Sequence, residues 1–256
     1  TWDDFKAVCK KFIDAGIKPI GTSVKDTWVL AMLHDGLALK SAGADKVTKA
    51  LTKQGQSYND PDFVKAANCI KELVDMGAFI DGATGLSNDE ASASFYAEQV
   101  PMYFTGSWMG GSIVTDAEKP DNFAVAPIPV VNSKNASVTD FMGGGSDTLM
   151  VSANTKNKDL AAAAAFEITR GVSKHAYLSG AGIPAWTVDY DASSVPALTQ
   201  QVADIAGKAT SYTLWFDTLM SSDDAGEYLT LLQSLFAGDL KPEEFAASMD
   251  KQLSKK

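Results

Sequence analysis

The chain has 256 residues, 45% hydrophobic and 21% charged, so it can bury a sizeable core, and at roughly 150 residues per domain it holds one large or two modest domains. Its 22 basic and 32 acidic residues give a net charge of -10, which repels phosphate backbones and anionic headgroups and argues against nucleic acid or a membrane surface as partner. No apolar run approaches the roughly 20 residues that cross a bilayer as a helix.

Thr1 to Ala15 is predicted helical, with Thr1 and Asp4 spaced as a capping box and Trp2, Phe5, Cys9, Phe12 and Ile13 on one apolar stripe. No charged and apolar leader precedes Thr1, so any leader is expected to be processed away or to lie upstream. A short strand is expected over Ile17 to Ile20, then a helix opening at Thr27 with Trp28, Leu30, Leu33 and Leu37. Asp60 and Pro61 occupy cap and first-turn positions of a further helix that stops before Gly77. Ala91 to Gln99 reads as a helix feeding a strand over Val100 to Thr105. Phe123 to Val131 alternates around Pro127 and Pro129, as an extended crossing rather than a central strand. Phe141 to Gly145 is a glycine turn, Thr148 to Ser152 a strand, Lys158 to Thr169 an alanine-rich helix and Gly180 to Ala185 a loop. Ala225 to Phe236 and Pro242 to Leu253 close the chain as two amphipathic helices. Helices alternating with short strands make an α/β protein. Cys9 and Cys69 sit at helical spacing among apolar neighbours and read as two buried thiols, although a disulfide stays open at this level.

Catalytic signatures are weak. Gly106 to Gly111 has the outer glycines of a phosphate loop, but Ser112 and Ile113 stand where lysine and a hydroxyl residue are needed. Gly144 to Asp147 begins like a nucleophile elbow, yet Thr148 replaces the glycine that its turn requires. His34, inside a helix beside Asp35, reads as a surface or partly buried structural residue, and His175 at a helix end is explained by the helix dipole. Neither has partners spaced to hold a metal ion, and no cofactor motif is present. Asp223 with Asp224 and Glu243 with Glu244 are neighbours that point apart, solvated charges rather than the facing pair a glycosidase needs.

The aromatics are placed more unusually. Of five tryptophans, Trp28, Trp108 and Trp215 adjoin glycine, serine or a helix start instead of lying deep in apolar runs. Trp108 follows Gly106 and Ser107 and opens a helix containing Gly110 and Gly111, a strand-to-helix corner from which a flat indole can offer its face to sugar C–H groups. Core packing is the competing reading for all three.

In order, Thr1-Trp2-Asp3-Asp4-Phe5, Ala15 to Ile20, Phe95 with Val100 to Trp108, Ala126 to Pro129, Phe141 to Gly145, Asn157 to Ala161 and Gly182 to Ala185 resemble the extracellular solute-binding proteins, family 1. That resemblance implies a periplasmic-binding-protein-like (type II) fold of two α/β lobes, with the C-terminal lobe complete and the N-terminal lobe only partial in this chain. Residues 1 to 126 and 174 to 256 would be two stretches of the C-terminal lobe, and 127 to 173 the returning part of the N-terminal lobe. The piece from Pro127 to Val172 is too small to bury a core alone, so it is expected to be poorly packed, rearranged, or completed by protein outside this chain. The implied function is non-catalytic: capture of a neutral mono- or oligosaccharide in an interlobe cleft and delivery to the permease subunits of an ABC importer. The implied setting is extracytoplasmic, either periplasmic or at the cell surface through a lipid anchor outside this chain. Carried over by position, Trp108 is the stacking tryptophan, Gly144 and Gly145 bring backbone amides to ligand hydroxyls, Trp28 and Trp215 face the cleft, and Asp217 accepts sugar hydrogen bonds. A carbohydrate-active hydrolase is the alternative, with an adhesion or scaffold module behind it.

Overall fold

The computed structural model describes residues 1–145 and 148–255. Ser146 and Asp147, the last two residues weighed as a nucleophile elbow, lie outside them. The chain divides into two compact units: residues 1–105, 127–144 and 209–256 form the first, and 106–126 with 145–208 the second. This division reflects compactness within the chain, a different property from the lobe boundaries after 126 and 173 that the resemblance implies.

The first unit is built on helices. Helix α1 (Trp2–Asp14) starts on the expected capping box, with the Asp4 amide donating to Thr1 Oγ1. The chain then enters β1 (Ile20–Gly21), shorter and later than the sequence suggests, because Ile17 to Pro19 only lead up to the edge. Helix α2 (Thr27–Ala42) is followed by α3 (Ala44–Leu51) and by α4 (Pro61–Asp75), whose N-cap Asp60 accepts from the Asp62 amide. Helix α5 (Asn88–Tyr96) begins three residues before the apolar signal at Ala91, since Ser87 and Glu90 form its capping box. Strand β2 (Met102–Tyr103) pairs parallel with β1, Ile20 opposite Met102.

Helix α2 lies at the centre of this unit, is buried at every residue but one and is mostly apolar, with no polar face turned to solvent. It packs on α4 and on a later helix, α10 (Ser222–Ala237), while α11 (Pro242–Leu253) packs on α4 and α10. One continuous core joins Leu30, Leu33 and Leu37 to Phe63, Ile70, Leu232 and Phe245. The Tyr58 and Phe63 rings stack within it at 4.2 Å. Both cysteines are free and buried, as the apolar spacing implied.

A second short sheet completes the unit: β3 (Asp140–Met142) runs parallel to β4 (Ser211–Thr213), Phe141 opposite Tyr212. The one-turn helix α9 (Phe216–Leu219) follows β4 directly.

The second unit contains α6 (Met109–Asp116), a 3-10 turn (Pro120–Asn122), α7 (Lys158–Leu178) and α8 (Ala197–Ala206). The expected strand over Thr148 to Ser152 does not form, and the chain there is irregular and exposed. Helix α7 runs nine residues beyond the predicted Thr169, because nothing in Arg170 to Leu178 breaks it before Ser179. It has no buried residue, and Leu160, Phe166, Ile168 and Val172 face solvent.

Candidate functional site

Every residue of α2 is buried except Trp28, which is 42% exposed. The local hydrogen bonds explain how a helix start can hold a large ring open. Ser23 Oγ donates to the Leu86 carbonyl and accepts the Asp26 amide, while Asp26 Oδ2 accepts the Asn88 amide at 2.6 Å. Gln233 fixes the same turn from α10, its Nε2 donating to the Val24 carbonyl and to Thr27 Oγ1. The backbone beneath Trp28 is thus tied on three sides, and the indole is not used in the core.

Farther along α2, Lys40 is buried and donates through Nζ to the carbonyls of Ser137 (2.8 Å), Val138 (3.0 Å) and Asp140. Its ammonium also lies 5.2 Å from the centre of the Phe141 ring. Burial lowers the Lys40 pKa to about 8, against the pull of nearby Asp140. One side chain therefore secures the turn that launches β3 and the glycines after it. Gly143 donates its amide to the Thr213 carbonyl at 2.8 Å, and Gly144 follows at φ +80°, a conformation an L side chain rarely adopts. A Cβ on Gly144 would also stand 3.0 Å from Tyr212 Cβ.

Asp35, one position after His34, reaches the other end of the β3–β4 region. Its Oδ2 accepts the Phe216 amide at 3.2 Å and its Oδ1 accepts the Tyr228 hydroxyl at 2.6 Å. His34 Nδ1 is 2.8 Å from the same hydroxyl. A phenol has one proton, and with that proton on Asp35 its oxygen can only accept, so His34 donates through Nδ1 and leaves Nε2 unpartnered. Burial pushes the Asp35 carboxyl up to about 8, opposed by the Tyr228 and Phe216 hydrogen bonds and aided by the charge of Asp217. Burial pushes His34 down to about 3. The reading of His34 as a surface or partly buried residue is corrected here: it is fully enclosed, its ring packed edge-on against Phe216 and Phe245. The aromatic shell on α9, α10 and α11 that encloses it comes from the far end of the sequence.

Trp215 and Asp217 flank Phe216. Trp215 is half-buried and is the N-cap of α9 without a side-chain cap bond, whereas Asp217 is exposed. The first unit thus gathers Trp28, Gly144, Trp215 and Asp217 on elements tied to α2 or to β4. Trp108 and Gly145 belong to the second unit. Trp108 is the N-cap of α6 and is 48% exposed. Its indole folds back over Gly106, where an added Cβ would collide with ring atoms Cζ3, Cε3 and Cη2. Gly145 is exposed.

Asp224 also departs from expectation. It is buried rather than solvated, with Lys53 Nζ at 3.0 Å and Gln252 Nε2 donating at 2.9 Å. Burial would raise its pKa, but the hydrogen bonds from Ser221, Lys53 and Gln252 outweigh that and hold it below the usual value. Among the described residues, no three or more His, Cys, Asp or Glu side chains gather where a metal ion could sit. No helix among them is long and apolar enough to cross a membrane. A cavity of about 240 Å³ in the second unit, lined by Arg170, Lys174, Trp186, Asp189 and Tyr190, contains none of the expected site residues.

Sequence reasoning misses Lys40, Asp35 and Tyr228. The signal available for the first two was a charge in the middle of an apolar helix, which has to find partners once the helix is enclosed. Nothing near Tyr228 in the sequence marks it.

Comparison with known proteins gives a consistent match. The model of the bacterial extracellular solute-binding protein family matches residues 1–166. A relative named as an uncharacterized ABC transporter extracellular-binding protein, from Pyrococcus horikoshii, is 25% identical over 130 residues, 50% of this chain and 29% of that protein. A structure reported with xylan utilization by the thermophilic bacterium Caldanaerobius polysaccharolyticus superposes with a TM-score of 0.94 at 31% identity, covering 98% of this chain and 65% of that one. A chitin oligosaccharide binding protein superposes at 0.87 with 23% identity over 99% of this chain and 64% of its own. This chain therefore spans under two thirds of the length of these proteins.

Proposed function

The chain belongs to the bacterial extracellular solute-binding protein family and has the periplasmic-binding-protein-like α/β fold over the part it spans, and from that premise we propose that it is the non-catalytic sugar receptor of an ABC importer. In this reading it acts outside the cytoplasm and captures a neutral mono- or oligosaccharide. Residues 1–126 and 174–256 are then stretches of the C-terminal lobe and 127–173 the return of the N-terminal lobe.

The observation that carries the reading is Trp28, an indole left open at the first turn of a helix that is otherwise wholly buried. Exposing so large an apolar face costs hydrophobic stabilisation that the core could have used. A pyranose ring, with its C–H groups on one face and hydroxyls around the edge, is a ligand that would repay it. Trp108, similarly open and laid over Gly106, offers a second such face. The positive-φ turn at Gly144 provides backbone unhindered by a side chain, and exposed Asp217 provides carboxylate acceptors for sugar hydroxyls. Closure on the bound sugar is then what the permease recognises.

Isothermal titration of the protein against xylo-, galacto- and gluco-oligosaccharides tests this. Saturable heat with at least one neutral sugar, lost in Trp28→Ala and Trp108→Ala, is expected. Absence of heat across the panel, or binding untouched by both substitutions, would count against it. The xylan-related structure at 31% identity makes xylo-oligosaccharides the first probes.

A further inference from the structure

Helix α9 is one turn long, and its N-cap residue, Trp215, supplies no side-chain hydrogen bond to its free amides. The cap comes instead from across the core, where Asp35 Oδ2 accepts the Phe216 amide. The same carboxylate is held from its other oxygen by the Tyr228 hydroxyl of α10, which is in turn met by His34 Nδ1. Asp35, His34, Phe216 and Tyr228 are all buried, and Phe245 of α11 closes the cage around the imidazole. A buried carboxyl is costly unless its hydrogen bonds are worth keeping. Nothing in core packing calls for one here, since an apolar side chain of the same shape would fill the space.

The amide it holds lies between Trp215 and Asp217, and Trp28 stands seven residues before Asp35 on the same helix, about 10 Å along the axis on the same face. We propose that Asp35, backed by Tyr228 and His34, is a positioning residue that fixes the Trp215–Asp217 corner relative to α2 and so sets the arrangement in which a sugar meets Trp215 and Asp217. It touches no ligand and acts only through the Phe216 amide. This inference rests on the sugar-receptor reading for its ligand.

The test uses the whole chain labelled with 5-fluorotryptophan, whose Trp215 signal is identified by its loss in Trp215→Phe. In Asp35→Leu the Trp215 fluorine line shifts or broadens while those of Trp2 and Trp186 stay, and the Phe216 amide exchanges faster with solvent. Asp35→Asn, which keeps an acceptor oxygen, restores most of both. The affinity for the oligosaccharide that the wild type binds best falls about tenfold in Asp35→Leu, in line with losing a buried hydrogen bond. In a Trp215→Phe, Asp217→Ala background the same change costs little further affinity, because the groups it positions are gone. Should Asp35→Leu not fold, Tyr228→Phe gives the same readouts in milder form. An unmoved Trp215 line with unchanged Phe216 exchange in a folded variant would overturn the proposal, as would an undiminished affinity loss in the double background. Wild type that binds none of the sugars would sink the receptor reading separately, and the fluorine and exchange results would still decide whether Asp35 holds the corner.

Discussion

The buried pair His34 and Asp35 makes the dependence of stability on pH a sharp prediction. Asp35 is raised by burial from 3.8 to about 8, so between those values the native protein keeps a proton that the unfolded chain has released, and stability falls as pH rises. His34 is lowered by burial from 6.5 to about 3, so between those values the unfolded chain binds a proton that the native one refuses, and stability rises with pH. The two slopes oppose each other below 6.5 and nearly cancel. Within the pair only Asp35 acts from 6.5 to about 8, at about 1.4 kcal/mol per pH unit, a loss of roughly 2 kcal/mol across the interval. The groups facing the pair are the Tyr58 and Tyr228 hydroxyls, both pushed well above their ordinary range by burial, and the exposed carboxylate of Asp217. Neither hydroxyl titrates between pH 6.5 and 8. In Asp35→Asn the loss between 6.5 and 8 disappears, and the uncancelled histidine makes the variant lose about 1.4 kcal/mol per unit as pH falls from 6.5 toward 4. Urea denaturation of both proteins at half-unit steps from pH 4.5 to 9, followed by circular dichroism, measures the two curves. Parallel curves between 6.5 and 8 would refute the assignment of that slope to Asp35.

Three further outcomes follow from particular contacts. Gly106→Ala puts a methyl group into the Trp108 indole, so the ring must swing away, and sugar affinity is expected to fall toward that of Trp108→Ala with little change in the melting temperature, as calorimetry and thermal denaturation will report. Burial raises the Cys9 thiol to about 11 and the Cys69 thiol to about 12, so a thiol reagent at pH 8 should label neither in the folded protein and both in urea. The Tyr58 hydroxyl is buried without a partner, so Tyr58→Phe removes an unpaired polar group while keeping the stack on Phe63, and should leave stability unchanged or raise it by about 1 kcal/mol on urea denaturation.

Much of the helical framework was legible because its signals are local. Thr1 with Asp4, Asp60 with Pro61, and the apolar spacing of α10 and α11 each depend on residues a few positions apart. Strands fared worse: β1 and β2 hold two residues apiece and exist only because Ile20 meets Met102, a pairing that no local pattern encodes. The extended look of Thr148 to Ser152 finds no partner strand among the described residues. At the site, the open tryptophans could be suspected from their glycine and serine neighbours. The carboxylate that caps α9 could not, because Asp35 and Phe216 are 181 positions apart and meet only once the core has closed. His34 was misjudged for the same reason, its cage being supplied by Phe216, Tyr228 and Phe245.

The indoles left open by the fold are proposed to hold a sugar. Calorimetric titration with xylo-oligosaccharides and the wider neutral panel, run in parallel on wild type, Trp28→Ala and Trp108→Ala, tests it most directly. Saturable binding by the wild type that weakens at least tenfold, about 1.4 kcal/mol, in each variant while thermal midpoints hold is expected. Binding of equal strength in all three proteins would contradict it.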